Sequence, residues 1–460
     1  MSESHSKRDA NRPNPPLVTV VESRPPRQPK ATLADFLFGR RLAAIEEEER
    51  KIGPLAGIPV LGLDALSSAA YGPEAALTLL LPLGVLGLSY VVPISALLIL
   101  VLLIVYVSYR QTIAAYPGGG GSYTVAKENL GQSAALLAGA ALALDYVLNV
   151  AVGISAGVGA LVSAIPSLEP HTLALCLAIL VLLTLVNLRG TRESGLAFLL
   201  PTYLFVVTLG TVIIIGGVKA AMAAGHPVPL SPPPALPVPQ GTLSLWLFMR
   251  AFASGCTAMT GVEAVSNGVP LFRQPTVRNA ERTLTAIIAI LVLLLAGIAI
   301  LSHAYGIGAT APGQAGYESV LSQLTRAVTG RGTFYYVTMS AVVSVLALSA
   351  NTSFADFPRL CRVLAVDRFL PDTFTLRGRR LVFSYGVVIL AILSALLLTA
   401  FGGVTDRLIP LFAIGAFLAF TLSQAGMVQH WRQLPGPGSA RSLWINGIGA
   451  LATGVTLLVV

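Results

Sequence analysis

Apolar residues run along this chain in long blocks, with polar residues gathered between them, and the short alternations of a soluble fold are missing. A helix rising about 1.5 Å per residue needs about 20 mostly apolar residues to cross a hydrocarbon core about 30 Å thick. That measure predicts spanning helices over about 54–82, 89–115, 134–165, 172–188, 195–217, 243–271, 284–306, 333–357, 383–401, 408–430 and 443–460. The eleventh runs into Val460. The first fifty residues break the pattern: they are polar and rich in Pro and Arg, with no apolar stretch of signal-peptide type behind Met1, and they read as a disordered arm. An amphipathic stretch at Ala31–Lys51 sets Phe36, Leu37, Leu42 and Ile45 against Arg40, Arg41 and the Glu46–Glu49 run, and reads equally as a membrane-surface helix or a solvated linker.

Composition agrees with the pattern. Over 460 residues, 54% are apolar and 11% charged, with a mean hydropathy of +0.76, whereas a globular domain carries about 25% charged residues. Such a chain has too few charges to solvate an ordinary surface, which excludes a soluble enzyme, a disordered tail protein and a nucleic-acid-binding module. The net charge of +9 changes nothing once the charges are placed. With the N-terminus in the cytoplasm and sides alternating, only Lys219, Arg250, Arg326, Arg331 and Arg407 of the thirty Lys and Arg fall in the outer half. A miscounted span would scramble that split, so the basic excess is a topology signal and calls for no nucleic acid.

Two spans make poor continuous helices. The first reads Gly62-Leu-Asp-Ala-Leu-Ser-Ser-Ala-Ala-Tyr-Gly-Pro73, with Asp64 central and a break expected at Gly72–Pro73. The sixth reads Ser254-Gly-Cys-Thr-Ala-Met-Thr-Gly-Val-Glu-Ala-Val-Ser-Asn-Gly-Val-Pro270, with Gly261 and Glu263 central. Five spans separate them, and an odd number of spans per repeat inverts the second copy. Interrupted helices at matching positions point to a transporter built from inverted repeats, with its site at the bilayer midplane. Two kinked structural helices would explain the glycines and prolines, but not a carboxylate beside each break.

Those carboxylates are costly. Aspartate at a helix centre costs roughly 2.5–3.5 kcal/mol on insertion scales and usually faces a cavity or pathway. Asp64, Asp145 and Glu263 lie mid-span with no Lys or Arg at similar depth, which makes them candidate proton carriers, or cation ligands where they ionise. Glu74 and Asp356 lie nearer span ends and read as capping or structural groups. In the third span Asp145 and Asn149 share a face, followed by Gly153, Ser155 and Gly157. Gly153-Ile-Ser-Ala-Gly157 fits the G-x-S-x-G nucleophile pattern, but inside a membrane helix it reads as a small-xxx-small notch for a neighbouring helix. The Pro117-Gly-Gly-Gly-Gly-Ser-Tyr123 run lacks the Gly-Lys-Ser/Thr of a phosphate loop and reads as a flexible loop or gate. Five dispersed histidines and three cysteines in apolar runs offer no metal, disulfide or catalytic constellation.

With those residues in view, a family resemblance emerges. Gly62 through Glu74 resembles the first-helix signature of the KimA-type potassium–proton symporters, relatives of the KUP transporters in the amino acid–polyamine–organocation superfamily. Leu144-Asp-Tyr-Val-Leu148, Thr260–Pro270, Ala350-Asn-Thr-Ser-Phe-Ala-Asp-Phe-Pro-Arg-Leu360, Arg380–Gly386 and Ser423–Trp431 extend the likeness through most of the membrane domain. The resemblance implies an all-α integral membrane protein with a LeuT-like five-plus-five inverted repeat and broken helices 1 and 6. Behind a cytoplasmic arm (1–52), the transporter domain would cover 53–460, with one repeat over about 54–217, the second over about 243–430 and incomplete C-terminal helices from 443. It implies potassium import coupled to protons at the plasma membrane, with no cofactor beyond the transported ion and proton, and it leaves room for a homodimer. Potassium would be held by Asp64, Tyr71, Thr260 and Glu263, with Asn149 also in the binding site and Asp145 and Glu263 in proton coupling.

Two positions depart from the family pattern. Asn149 stands where the motif continues with Thr, and Phe412 where Tyr is usual; Asn149 still offers an oxygen, whereas Phe412 removes one. Oxygen number and strength set potassium selectivity, so these positions bear on the ion and leave the transporter reading untouched. The family usually continues through a twelfth span into a cytosolic domain, so a shortened chain is expected here. An amino acid or polyamine permease of the same superfamily is the alternative substrate reading, and a non-transporting membrane sensor the alternative of another class.

Overall fold

The computed structural model describes residues 51–189, 195–314, 316–376, 383–436 and 438–460. The arm expected over 1–52, apart from Lys51 and Ile52, lies outside these residues, as do Arg192, Arg377, Arg379 and Arg380 from the charge split. Among the described residues the regular elements are helices, joined by turns and irregular segments, with no β-strand. In order the helices are α1 (Pro54–Leu61), α2 (Leu63–Leu80), α3 (Val85–Ala115), α4 (Ser122–Asn129), α5 (Gln132–Ala164), α6 (Thr172–Leu188), α7 (Gly195–Met222) and α8 (Leu245–Gly255). Then follow α9 (Ala264–Asn267), α10 (Thr276–Tyr305), α11 (Val320–Thr329), α12 (Thr333–Val366), α13 (Ser384–Ala400), α14 (Thr405–Gln433) and α15 (Ser439–Val459).

Eight of these, some extended by a flanking 3-10 turn, are long and apolar enough to cross a membrane, and α1 with α2 makes a ninth span bent by 49°. The two remaining predicted spans are α13, which has 17 residues, and the interrupted segment from α8 to the turn Val269–Leu271. The bend in the first span falls at Gly62, and Gly72–Pro73 lies inside the continuous helix α2. The expected Gly-Pro break is therefore corrected. Gly72 serves as a notch instead: a β-carbon there would run into Ala258.

Side-chain placement is inverted relative to a soluble protein, as backbone satisfied within helices and apolar lipid contact require. Leu97, Leu100 and Leu103 of α3, Ile392 and Leu396 of α13, and Trp444, Leu451 and Leu458 of α15 face outward. The polar residues Asp145, Asn149 and Ser155 of α5 are buried. Helix α5 lies against α12 through the notch predicted from sequence: a β-carbon on Gly153 would sit 2.6 Å from Ser349 Oγ, and one on Gly157 would sit 3.3 Å from Leu346 Cβ. Small residues are what allow two backbones to approach this closely.

At one end of the bundle α4 is tied to the residue following α12. Asp367 accepts hydrogen bonds from Tyr123 Oη at 2.5 Å and from Lys127 Nζ at 2.7 Å. Those two donors, Lys127 first, hold the Asp367 carboxyl below the usual carboxylate range. A depressed carboxylate contributes stability at neutral pH and loses it as pH falls through the lowered value. Lys127 is half exposed, so its share is screened. Asp367→Asn is expected to cost about 1 kcal/mol at pH 7, and the gap from wild type should close in acid. Thermal unfolding of the detergent-solubilised pair at both pH values checks this.

Candidate functional site

Helix α2 and the segment from α8 to α9 run antiparallel, side by side. Gly255 lies against Ala76, Ala258 against Gly72, Gly261 against Asp64 and Ala65, and Gly268 against Leu61. Between the 3-10 turn Cys256–Met259 and α9, Thr260 is extended (φ −63°, ψ 153°) and Gly261 turns left-handed (φ 80°). A β-carbon on Gly261 would come within 2.6 Å of both Asp64 Cγ and Ala65 N. Only glycine lets the turn press onto the first turn of α2, where Asp64 sits.

The crossing gathers three hydroxyls. Ser68 Oγ lies 2.8 Å from Tyr71 Oη and 3.0 Å from Thr260 Oγ1, and Tyr71 Oη lies 3.1 Å from Thr260 Oγ1. Ser68 also donates to the Asp64 carbonyl at 2.8 Å, and Thr260 donates to the Thr257 carbonyl at 2.9 Å. Each hydroxyl has one proton. Either hydroxyl of each pair can donate within the triangle, and the lone pairs of the three oxygens converge between the two segments. Hydroxyl oxygens gathered in this way suit a bound cation, toward which each can turn its lone pairs.

Acidic groups surround this triangle. Asp64, 4% exposed, accepts from Asn149 Nδ2 at 2.9 Å through Oδ2, while its Oδ1 is buried without a hydrogen-bond partner. Asp145 Oδ1 and Glu263 Oε2 are likewise buried and unpartnered. Asp64 is within electrostatic reach of Glu263 and Asp356, and Asp145 is within reach of Glu263 and Asp64. Among the described residues Asp356 alone of these has a basic partner, Arg359 at 3.1 Å. The carboxyls with no basic partner among the described residues are thus Asp64, Asp145 and Glu263.

The ends of the site differ. On one side a cavity of about 70 Å³ reaches Tyr71 and is lined by Glu74, Ser155, Gly159, Tyr317 and Asp406, enough for several waters. On the other the glycine run closes over α9: Gly120 N donates to the Ser266 carbonyl at 3.2 Å and Ser266 Oγ donates back to the Gly120 carbonyl at 2.8 Å. Asn267 Nδ2 reaches Tyr146 Oη at 3.1 Å beside it. Glu74 takes hydrogen bonds from Tyr317 Oη at 2.6 Å and from the backbone of Val320 at the start of α11, which fits its reading as a capping group.

Of the residues singled out from sequence, Asp64, Tyr71, Asn149 and Thr260 are joined by direct or one-residue hydrogen-bond links, whereas Asp145 and Glu263 are near in charge without a bond to that network. Ser68, which bridges Tyr71, Thr260 and the Asp64 backbone, escaped the sequence reading although it follows Asp64 by one helical turn. Ser353 on α12 also escaped it; it accepts the second Asn149 hydrogen at 2.9 Å. Phe412 is fully buried with its ring tilted and 6.4 Å from that of Tyr71, so it borders the triangle without adding an oxygen.

Two comparisons bear on this arrangement. The family model described as amino acid permease matches residues 66–460. The potassium transporter KimA of Bacillus subtilis (strain 168) is 41% identical over 422 residues, covering 92% of this chain and 68% of that protein. The family match runs from within α2 to Val460 and takes in the hydroxyl triangle, Asp145 and Glu263, and on that extent the chain belongs to the amino acid permease family as a relative of KimA.

Proposed function

We propose that the chain is a proton-coupled importer of a monovalent cation, potassium, working in the plasma membrane with its N-terminus in the cytoplasm. The observation that carries this reading is the placement of Asp64 in the first turn of α2 beside the hydroxyls of Ser68, Tyr71 and Thr260. In a helix-break site for amino acids, the half-helix N-terminus is where a substrate carboxylate is held. Here the protein's own carboxylate fills that place, and a second anion would be repelled. The name of the 41% identical relative supports potassium. The antiparallel crossing supports a five-plus-five inverted repeat, α1–α2 opening one repeat and α8–α9 the other.

In this reading Asp64, Tyr71, Thr260 and Glu263 hold the cation, with Ser68 added to the set. The cavity beside Glu74 is the outer approach, Tyr71 forms its floor, and the glycine run on Ser266 is the inner gate. Asp145 and Glu263 carry the proton. Glu263→Gln is expected to keep downhill rubidium exchange while losing proton-driven accumulation, because the amide preserves shape and cannot ionise. The experiment is rubidium uptake by purified protein in lipid vesicles under an imposed proton gradient. The permease match keeps an amino acid substrate as the second reading: labelled amino acid accumulation without rubidium uptake would replace the first.

A further inference from the structure

Asn149 uses both hydrogens of its amide, one on Asp64 Oδ2 and one on Ser353 Oγ, each at 2.9 Å. The acceptors stand on α2 and α12 while Asn149 stands on α5, so the amide is fixed from both sides. Asn149 Nδ2 thus donates to Asp64 Oδ2, and Oδ1 is the oxygen left without a partner. Asn149 and Asp64 are both almost fully buried, at 2% and 4% exposed, where a hydrogen bond to a charged group is strong. A hydroxyl at this position would offer a single proton. The amide offers two, and the one anchored on Ser353 keeps the other aimed at the acid.

We propose that Asn149 is a tethered competitor for Asp64: its N–H group holds Oδ2 when no ion is present, and a cation that engages both carboxylate oxygens enters by displacing it. This rests on the cation-binding reading of the site and assigns Asn149 a role opposed to that of a ligand. A transport site must bind weakly enough to release, and a neutral donor held against the main carboxylate lowers affinity without adding charge. Asn149 thereby sets the cation affinity of this chain through Asp64, as a positioning residue.

The test is the concentration dependence of rubidium uptake by reconstituted wild type, Asn149→Ala, Asn149→Thr and Ser353→Ala. Removing a hydrogen bond to a charged group corresponds to about a tenfold change in affinity. Asn149→Ala is therefore expected to lower KM about tenfold and to lower Vmax as well, because release slows. Asn149→Thr and Ser353→Ala are expected to move KM in the same direction by less. A KM raised by Asn149→Ala would make the amide a ligand, and an unchanged KM with reduced Vmax would make it packing; either result overturns the inference while the transporter reading stands. If the alanine variant fails to insert, the threonine variant decides by the sign of its KM change. A wild-type protein that moves no rubidium removes the cation reading and the inference together.

Discussion

Asp64→Asn is expected to reduce rubidium uptake by at least about a hundredfold while leaving the protein inserted and no less stable. The side chain keeps its size, so packing against Gly261 and Ala65 is unchanged. What changes is charge: the amide can still accept from Asn149 through its own oxygen, as the carboxyl does at 2.9 Å in the wild type, but it cannot carry the negative charge that holds a cation. Losing one partner of a buried charged pair typically costs 3–5 kcal/mol, which at 1.4 kcal/mol per tenfold exceeds a factor of one hundred. Removing an acid from mid-membrane also relieves an insertion cost, so thermal stability in detergent should hold or rise. Lost uptake with stability preserved is the signature of a ligand. Uptake within fivefold of wild type would move the cation away from Asp64.

The same carboxylate shows how far the sequence could be read. Asp64, Asp145 and Glu263 were legible because an unpaired acid in an apolar run has few structural explanations, and the notch at Gly153 and Gly157 because its spacing matches one helix face. The position of the first bend was not legible. Gly72–Pro73 is a strong local breaker, yet proline removes only one helical hydrogen bond, and close packing on Ala258 uses the missing side chain of Gly72 while the helix continues. Gly62, a weaker local signal, takes the bend. Ser68 and Ser353 carried no composition signal because serine in a membrane helix commonly bonds back to its own turn; both acquire meaning only from helices far away in sequence. Phe412 could be read as a missing oxygen, but its contact with Tyr71 required the fold.

Gly261→Ala is expected to abolish transport through geometry alone, with every ligand still present. Two costs meet at this residue. Its φ of 80° is left-handed, which costs a residue with a β-carbon roughly 1–2 kcal/mol. The added carbon would lie 2.6 Å from Asp64 Cγ and from the backbone nitrogen of Ala65, and overpacking of a filled interior adds about 1–3 kcal/mol. The Ala65 nitrogen belongs to the first turn of α2 and cannot rotate away, so relief must come from separating the two crossing segments. Separation pulls Thr260 from Ser68 and Tyr71, whose oxygens now lie 3.0 and 3.1 Å from it, and opens the triangle. Gly210→Ala is the control: its β-carbon would meet no atom within 4 Å, and alanine favours a helix interior by up to about 1 kcal/mol. Rubidium uptake and thermal unfolding should therefore fall together for Gly261→Ala and stay level or improve for Gly210→Ala. If Gly261→Ala transports within twofold of wild type, close contact between the two segments is not what holds the cation oxygens together, and α2 alone must supply them.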